Sequence, residues 1–222
     1  MNKGRLEAFS DGVFAIIITI MVLELKAPSP ASPPGAAALV PLIPTLISYV
    51  VSFVFVGIYQ VDHHHLFMAS REVNRAALWA NLHLLFWLSL FPFTTSWVGQ
   101  KHFAPVPVGV YGVTLMLAAA SWDILRRILI RHHGEESLLG VSVGRGVKEW
   151  VSTSLLTLGV VAAFVLPGRV SDANAGLIDR ATYGSVVAFG LYCGVSAIWQ
   201  VPNRRIEDRM KKPAHSPPAA GE

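Results

Sequence analysis

Long apolar runs separated by short polar stretches dominate the chain. A helix needs about 20 consecutive, mostly apolar residues to cross a bilayer. The pattern predicts six such helices, near 6–25, 45–67, 78–98, 107–130, 147–167 and 181–201. The expected fold is an all-α membrane protein with six transmembrane helices per subunit.

The six helices form one predicted domain over residues 1–205, followed by a cytoplasmic, mostly disordered tail at 206–222. Between the first two helices, residues 27–44 are rich in Pro, Ala and Ser and predict an extracytoplasmic linker. The stretch 36–40 within it can add a short helical turn.

Composition and charge agree with a membrane setting. Hydrophobic residues make up 53% of the chain and charged residues only 14%, which excludes an ordinary soluble globule. With alternating helices, 14 of the 18 Lys and Arg residues fall on the side of the N-terminus. The positive-inside rule therefore predicts a multi-pass protein of the cell membrane with both termini in the cytoplasm. Anionic lipid accounts for the net charge of +4, so no nucleic-acid partner is expected.

Polar residues of the first three helices lie at one depth, in the third of the membrane nearest the N-terminus. They are Ser10 and Asp11, His63 to His65, and Asn81 with His83. Their donors and acceptors are complementary, so we expect a hydrogen-bond network that holds the three helices together. The alternative is a proton relay that uses Asp11 and the histidines.

The first helix has two different faces at about 100° per residue. One face carries Phe9, Gly12, Ile16, Thr19, Ile20 and Leu23, and the other carries Ser10, Asp11 and Phe14. An apolar stripe is typical of helix packing or lipid contact. A pore lining is the functional alternative, with aliphatic rings as the constriction and threonine as a source of oxygen ligands. Because the element occurs once, symmetric oligomerisation is the simplest way to form a pore.

Catalysis and metal binding are not expected. Consecutive histidines on a helix point about 100° apart, so His63, His64 and His65 cannot share one ion. Adjacent Ser10 and Asp11 have the wrong geometry for a relay through an imidazole. The sequence therefore predicts no enzyme, no catalytic residue, no bound metal and no cofactor.

Three motifs carry a family resemblance. They are Arg5-x-x-x-Phe9-Ser10-Asp11 followed by Gly12 to Ile16, His64-His65-x-Phe67, and Asn81-Leu82 with Leu90-Phe91-Pro92-Phe93. Together they resemble the signature of the transmembrane-protein-175 family, the endolysosomal potassium channels and their prokaryotic relatives. Animal members carry two six-helix repeats, whereas this chain resembles the prokaryotic members in having one.

The resemblance implies a homotetramer whose central pore, lined by the first helix, conducts potassium as a leak. It matches Ile16 to a hydrophobic constriction, Thr19 to a threonine layer that could contact a permeant potassium ion, and Leu23 to a second apolar ring. Selectivity would come from these side chains, since the chain has no Thr-Val-Gly-Tyr-Gly filter. A structural network is expected from Arg5, Phe9, Ser10, Asp11, His64, His65 and Asn81.

Two other functions remain open at this point. One is a proton channel or proton-coupled carrier that uses Asp11 and the membrane histidines. The other is a scaffold that conducts nothing. For the channel, the expected partners are three further copies of the chain, the lipid bilayer and monovalent cations.

Overall fold

The computed structural model describes residues 3–28, 35–133, 147–166, 168 and 181–200. The helices are α1 (Lys3–Leu23), a 3-10 helix (Ala36–Leu42), α2 (Ile43–Ala69), α3 (Arg75–Ser89), α4 (Phe91–Gln100), α5 (Pro105–His133), α6 (Val147–Val165) and α7 (Tyr183–Gln200). The predicted tail at 206–222 lies outside the described residues.

Five helical segments of the described chain are long and apolar enough to cross a membrane. They are Lys3–Leu23, Ala36–Ala69, Arg75–Gln100, Pro105–His132 and Lys148–Val165. At the position of the sixth predicted span lies α7, a helix of 18 residues. The architecture is thus the predicted all-α membrane fold, with five segments that qualify as spans and α7 at the position of the sixth.

The third span is two helices rather than the single helix predicted over 78–98. α3 ends at Ser89, and α4 begins at Phe91 with Pro92 in its first turn. Proline has no backbone N–H to donate to the residue four positions earlier, so the hydrogen-bond ladder is interrupted here. Leu90 keeps helix-like dihedral angles, φ −84° and ψ −10°, and α4 follows α3 without a loop.

The first three spans alternate in direction. At the end of the bundle where α1 begins, hereafter the N-terminal end, Lys3 Nζ donates to the carbonyl of Ser70 just after α2, at 2.8 Å. At the far end, Ser96 of α4 bonds Glu24, which follows α1. The polar residues of α1, α2 and α3 are therefore brought to the same level.

α5 lies at the centre of the bundle and α1 at its side. α5 packs against α3, α4, α6 and α7, whereas the main contacts of α1 are with α2, α3 and α4. The buried ring of Tyr192 on α7 is held in a niche between Gly112 of α5 and Gly159 of α6, where a Cβ atom at either glycine would overlap the ring. Close contact at small residues is a usual way to join helices in lipid. This packing leaves one side of α1 uncovered within the subunit.

Candidate functional site

α1 presents one buried and one exposed face. The buried side chains recur every three or four residues and are Leu6, Ser10, Phe14, Ile17 and Met21. The opposite face exposes Ile16 (58%) and Leu23 (75%), together with Phe9, Gly12, Thr19 and Ile20. The stripe read from the sequence thus lies on the outside of the single subunit.

The Thr19 hydroxyl is bonded within α1. Its Oγ1 donates to the backbone carbonyl of Ile16 at 2.9 Å. A hydroxyl that donates its only hydrogen still has lone pairs available as acceptors. The oxygen of Thr19 therefore stays able to face a cation on the exposed side of the helix.

On the buried face, a chain of hydrogen bonds joins α1, α3 and α2. Asn81 Nδ2 donates to Ser10 Oγ at 2.9 Å, and Ser10 Oγ donates to the carbonyl of Leu6 at 3.0 Å. Asn81 Oδ1 lies 2.8 Å from His63 Nε2 and accepts the proton of that nitrogen. All three polar side chains are fully buried. We call these three residues, Ser10, His63 and Asn81, the polar triad.

The histidine of the triad is held between two aromatic rings. Phe14 of α1 meets it edge-on with ring centroids 5.5 Å apart, and Phe67 of α2 stacks on it at 4.5 Å. Within the described residues, His63 Nδ1 is buried and has no hydrogen-bond partner. The triad thus forms a buried hydrogen-bonded cluster in which His63 Nδ1 is left as an unused acceptor.

Asp11 does not join the triad. Gln60 Nε2 of α2 donates to Asp11 Oδ1 at 2.9 Å, which makes a second link between α1 and α2. Gln60 was not among the predicted site residues. The signal for it is an amide near the end of the apolar run 53–61, three positions before His63.

The other residues of the predicted network lie elsewhere. His64 Nδ1 is 3.3 Å from Glu7 Oε1 and His65 is exposed, so His63, the first of the triplet, is the histidine in the triad. Phe9 lies on the exposed face of α1. Arg5 is exposed too, and its side chain bonds no other residue in the described part of this single chain.

His83 faces α5 instead of the triad. Its Nδ1 lies 3.0 Å from Ser121 Oγ, and Trp87 Nε1 donates to its Nε2 at 3.1 Å. Asn81 and His83 are two positions apart on α3, and residues two apart on a helix point in different directions. Asn81 and His83 therefore lie at the same depth but make separate sets of hydrogen bonds, one with the triad and one with α5.

At the far end of α1, hydrogen bonds hold the carboxylate of Glu24, which was not among the predicted site residues. Ser96 Oγ donates to Glu24 Oε2 at 2.6 Å, and Gln100 Nε2 donates to Ser96 Oγ at 2.7 Å. Glu24 directly follows Leu23, the last residue of α1. A negative charge therefore lies at one end of the exposed apolar stripe.

Comparison with known proteins gives consistent results. Residues 5–92 match the family described as the endosomal/lysosomal potassium channel TMEM175. A potassium channel of Chryseobacterium sp. (strain P1-3) is 45% identical over 96% of this chain and 100% of its own length. The endosomal/lysosomal proton channel TMEM175 of Homo sapiens is 26% identical over 99% of this chain, which spans only 46% of the human protein.

A solved structure shares the fold. The crystal structure of a lysosomal potassium-selective channel TMEM175 homolog from Chamaesiphon minutus superposes with a TM-score of 0.66. The match covers 89% of this chain and 95% of that chain, at 22% sequence identity.

Proposed function

The chain belongs to the TMEM175 family as a prokaryotic member, and from that premise we propose that it forms a homotetrameric leak channel that prefers potassium. In this proposal four copies of α1 line a central pore. Both termini lie in the cytoplasm, as the distribution of Lys and Arg favours. We ascribe no enzymatic activity to the chain.

One observation carries the proposal: α1 turns a continuous apolar face away from its own bundle, with a single hydroxyl within it. Ile16, Thr19 and Leu23 are all exposed on this face, while the polar residues of α1 that bind α2 and α3 point inward. Around a four-fold axis these residues would form three stacked rings. Glu24, fixed by Ser96, would lie where the pore opens at the far end and would attract cations.

Selectivity would then arise from incomplete hydration. A narrow ring of Ile16 side chains would remove part of the water around an ion without supplying ligands in return. Sodium holds its water more tightly than potassium, so sodium would meet the higher barrier. The same ring would act as the gate, because an apolar constriction that loses its water stops conduction.

A proton channel is the second candidate, and the name of the human relative gives a reason to test it. The polar triad is a poor proton wire, because Asn81 is a carboxamide and Ser10 donates its only hydrogen to the Leu6 carbonyl. Asp11 lies in a separate contact with Gln60. Proton flux would therefore have to use water in the pore.

Reversal potentials in a reconstituted bilayer separate these functions. Under opposed gradients of K⁺, Na⁺ and H⁺, we expect the reversal potential to follow K⁺ most closely. The variant Asp11→Asn keeps an acceptor for Gln60 and removes the charge, so it should leave the K⁺ current unchanged. A reversal potential that follows H⁺ and shifts in Asp11→Asn would support the proton channel. A bilayer without current under any gradient would support the scaffold.

Thr19 provides a more local test of the pore. Thr19→Val has nearly the same shape but no oxygen, and we expect it to lower K⁺ conductance several-fold because the partly dehydrated ion loses a ligand. Thr19→Ser restores the oxygen and should recover most of the current. Single-channel conductance measures both. Equal currents in the Val and Ser variants would show that this hydroxyl serves only its bond to Ile16.

A further inference from the structure

A cavity of about 700 Å³ lies between α2, α5, α6 and α7 and is partly open to the outside of the subunit. α1 contributes no residue to its wall, so the cavity is separate from the proposed pore. Its volume falls within the range of small-molecule sites, about 300–1,000 Å³. Nothing in the channel mechanism above uses this space.

The wall of the cavity changes from apolar to charged along its length. Phe55, Leu115, Met116 and Leu156 form its apolar part. Towards the N-terminal end of the bundle the wall carries five charged side chains, and these are Asp62, Asp123, Arg126, Arg127 and Glu149. A molecule that fits must therefore have an apolar body and a polar head.

Both arginines of the wall are bonded to carboxylates of the wall. Arg126, which is 6% exposed, donates from Nη1 to Glu149 Oε1 at 3.0 Å and from Nη2 to Asp123 Oδ1 at 2.6 Å. Arg127 Nε donates to Asp123 Oδ2 at 2.5 Å. An anionic head group would have to displace one of these carboxylates.

The remaining acceptors are negative. Glu149 Oε2 is buried without a hydrogen-bond partner, and Asp62 makes no hydrogen bond or ion pair with another described residue. Three carboxylates against two guanidinium groups give the wall an excess of one negative charge. Lys148 acts on Asp62 electrostatically but is not part of the wall. The unpartnered acceptors at Asp62 and Glu149 thus favour a cationic head, and Lys148 opposes it from outside the wall.

Aromatic rings stand beside these carboxylates. Tyr59, three positions before Asp62, meets Trp122 edge-on with ring centroids 6.3 Å apart. Trp150 and Trp199 also line the wall, and Trp199 Nε1 is bonded to Ser152 Oγ at 2.8 Å. Ammonium groups bind well where aromatic faces lie next to carboxylates.

We propose that this cavity binds a hydrophobic amine, with its ammonium group at Asp62 and Glu149 among the aromatic rings and its hydrocarbon body between Leu115, Met116 and Leu156. A single-chain amine fits better than an aminophospholipid, because a phosphate would bring negative charge against the same carboxylates. The adjacent face of this turn of α2 carries Gln60 and His63, which contact α1 and α3. The ligand would therefore lie one helix away from α1.

Binding is tested on the full-length protein in a neutral detergent with decylamine, which is protonated at pH 7. Three tryptophans line the cavity, so their fluorescence reports on occupancy directly. We expect a saturable fluorescence change and a rise of the thermal unfolding midpoint, since a ligand that binds only the folded state stabilises it. Decanol and decanoate, with the same chain length and no positive charge, should produce neither.

Two variants that each remove one charge are expected to change the affinity for decylamine in opposite directions. Asp62→Asn should weaken decylamine binding by about tenfold or more, and Lys148→Met should strengthen it by removing a competing cation. Glu24→Gln removes a carboxylate at the far end of the bundle and should leave the affinity unchanged. Ala119→Leu, which adds volume at the cavity wall, should block binding with the charges intact and serves if Asp62→Asn fails to fold.

Several results would overturn the inference. One is a decanol effect equal to that of decylamine, and another is a signal that never saturates. Unchanged affinity in Asp62→Asn, or in Ala119→Leu if the former does not fold, would also overturn it. Competition by excess phosphatidylethanolamine as strong as that by decylamine would assign the site to lipid instead of a free amine. None of these readouts depends on ion flux, so a failed channel proposal would leave this test unaffected.

Discussion

In Ile16→Asn, K⁺ conductance should rise several-fold and the preference for K⁺ over Na⁺ should largely disappear. Asparagine is polar, so a ring of four such residues holds water that a ring of isoleucines excludes. If the ions keep their water, Na⁺ no longer pays a higher dehydration cost than K⁺, and the preference for K⁺ is lost. Bi-ionic reversal potentials and single-channel conductance of the reconstituted variant measure both effects.

Two controls accompany this variant. Leu23→Ala widens the second ring and should change conductance with less effect on preference. Val187→Asn introduces the same polar group on α7, where the side chain is 47% exposed on a helix outside the proposed pore, and it should change neither quantity. If Ile16→Asn forms a normal tetramer with an unchanged reversal potential and conductance, α1 does not line the pore.

Asn81→Leu should destabilise the subunit and reduce the yield of assembled protein without changing the selectivity of the channels that form. The substitution leaves His63 Nε2–H buried with no acceptor. Such a stranded donor costs about 1–3 kcal/mol. Thermal unfolding in detergent and the assembled fraction on size-exclusion chromatography measure the loss.

A double-mutant cycle identifies the cause. His63→Leu combined with Asn81→Leu removes both partners, and we expect it to cost less than the sum of the single variants. Leu82→Ala, at an exposed neighbour on α3, should change stability little. Asn81→Leu with normal stability and a specific loss of proton flux would contradict the structural role of the triad.

Several features follow from local patterns and could be predicted. The helical spans follow from hydropathy, and the two faces of α1 follow from its 3.6-residue period. Ser10 and Phe14 are buried and Ile16, Thr19 and Leu23 exposed, as the wheel places them. The depth of Ser10 and Asn81 follows from counting residues along each span.

Depth alone does not decide which side chains meet. His63, His64 and His65 lie at nearly the same level, and only the rotation of α2 against α3 brings His63 to Asn81. The same rotation turns Gln60 towards Asp11 and Asp62 towards the cavity. Each of these pairings is long-range along the chain.

The sequence by itself determined the class of protein, most of its helical spans and the face of α1 that its own bundle leaves exposed, because hydropathy and helical period are properties of each segment alone. Only the tertiary structure decided which histidine completes the triad, how Arg126 pairs with Asp123 and Glu149, and that a cavity opens between four helices. These features depend on how the packed helices are rotated and how far apart they lie. Rotation and separation are in turn set by contacts between side chains from distant parts of the chain.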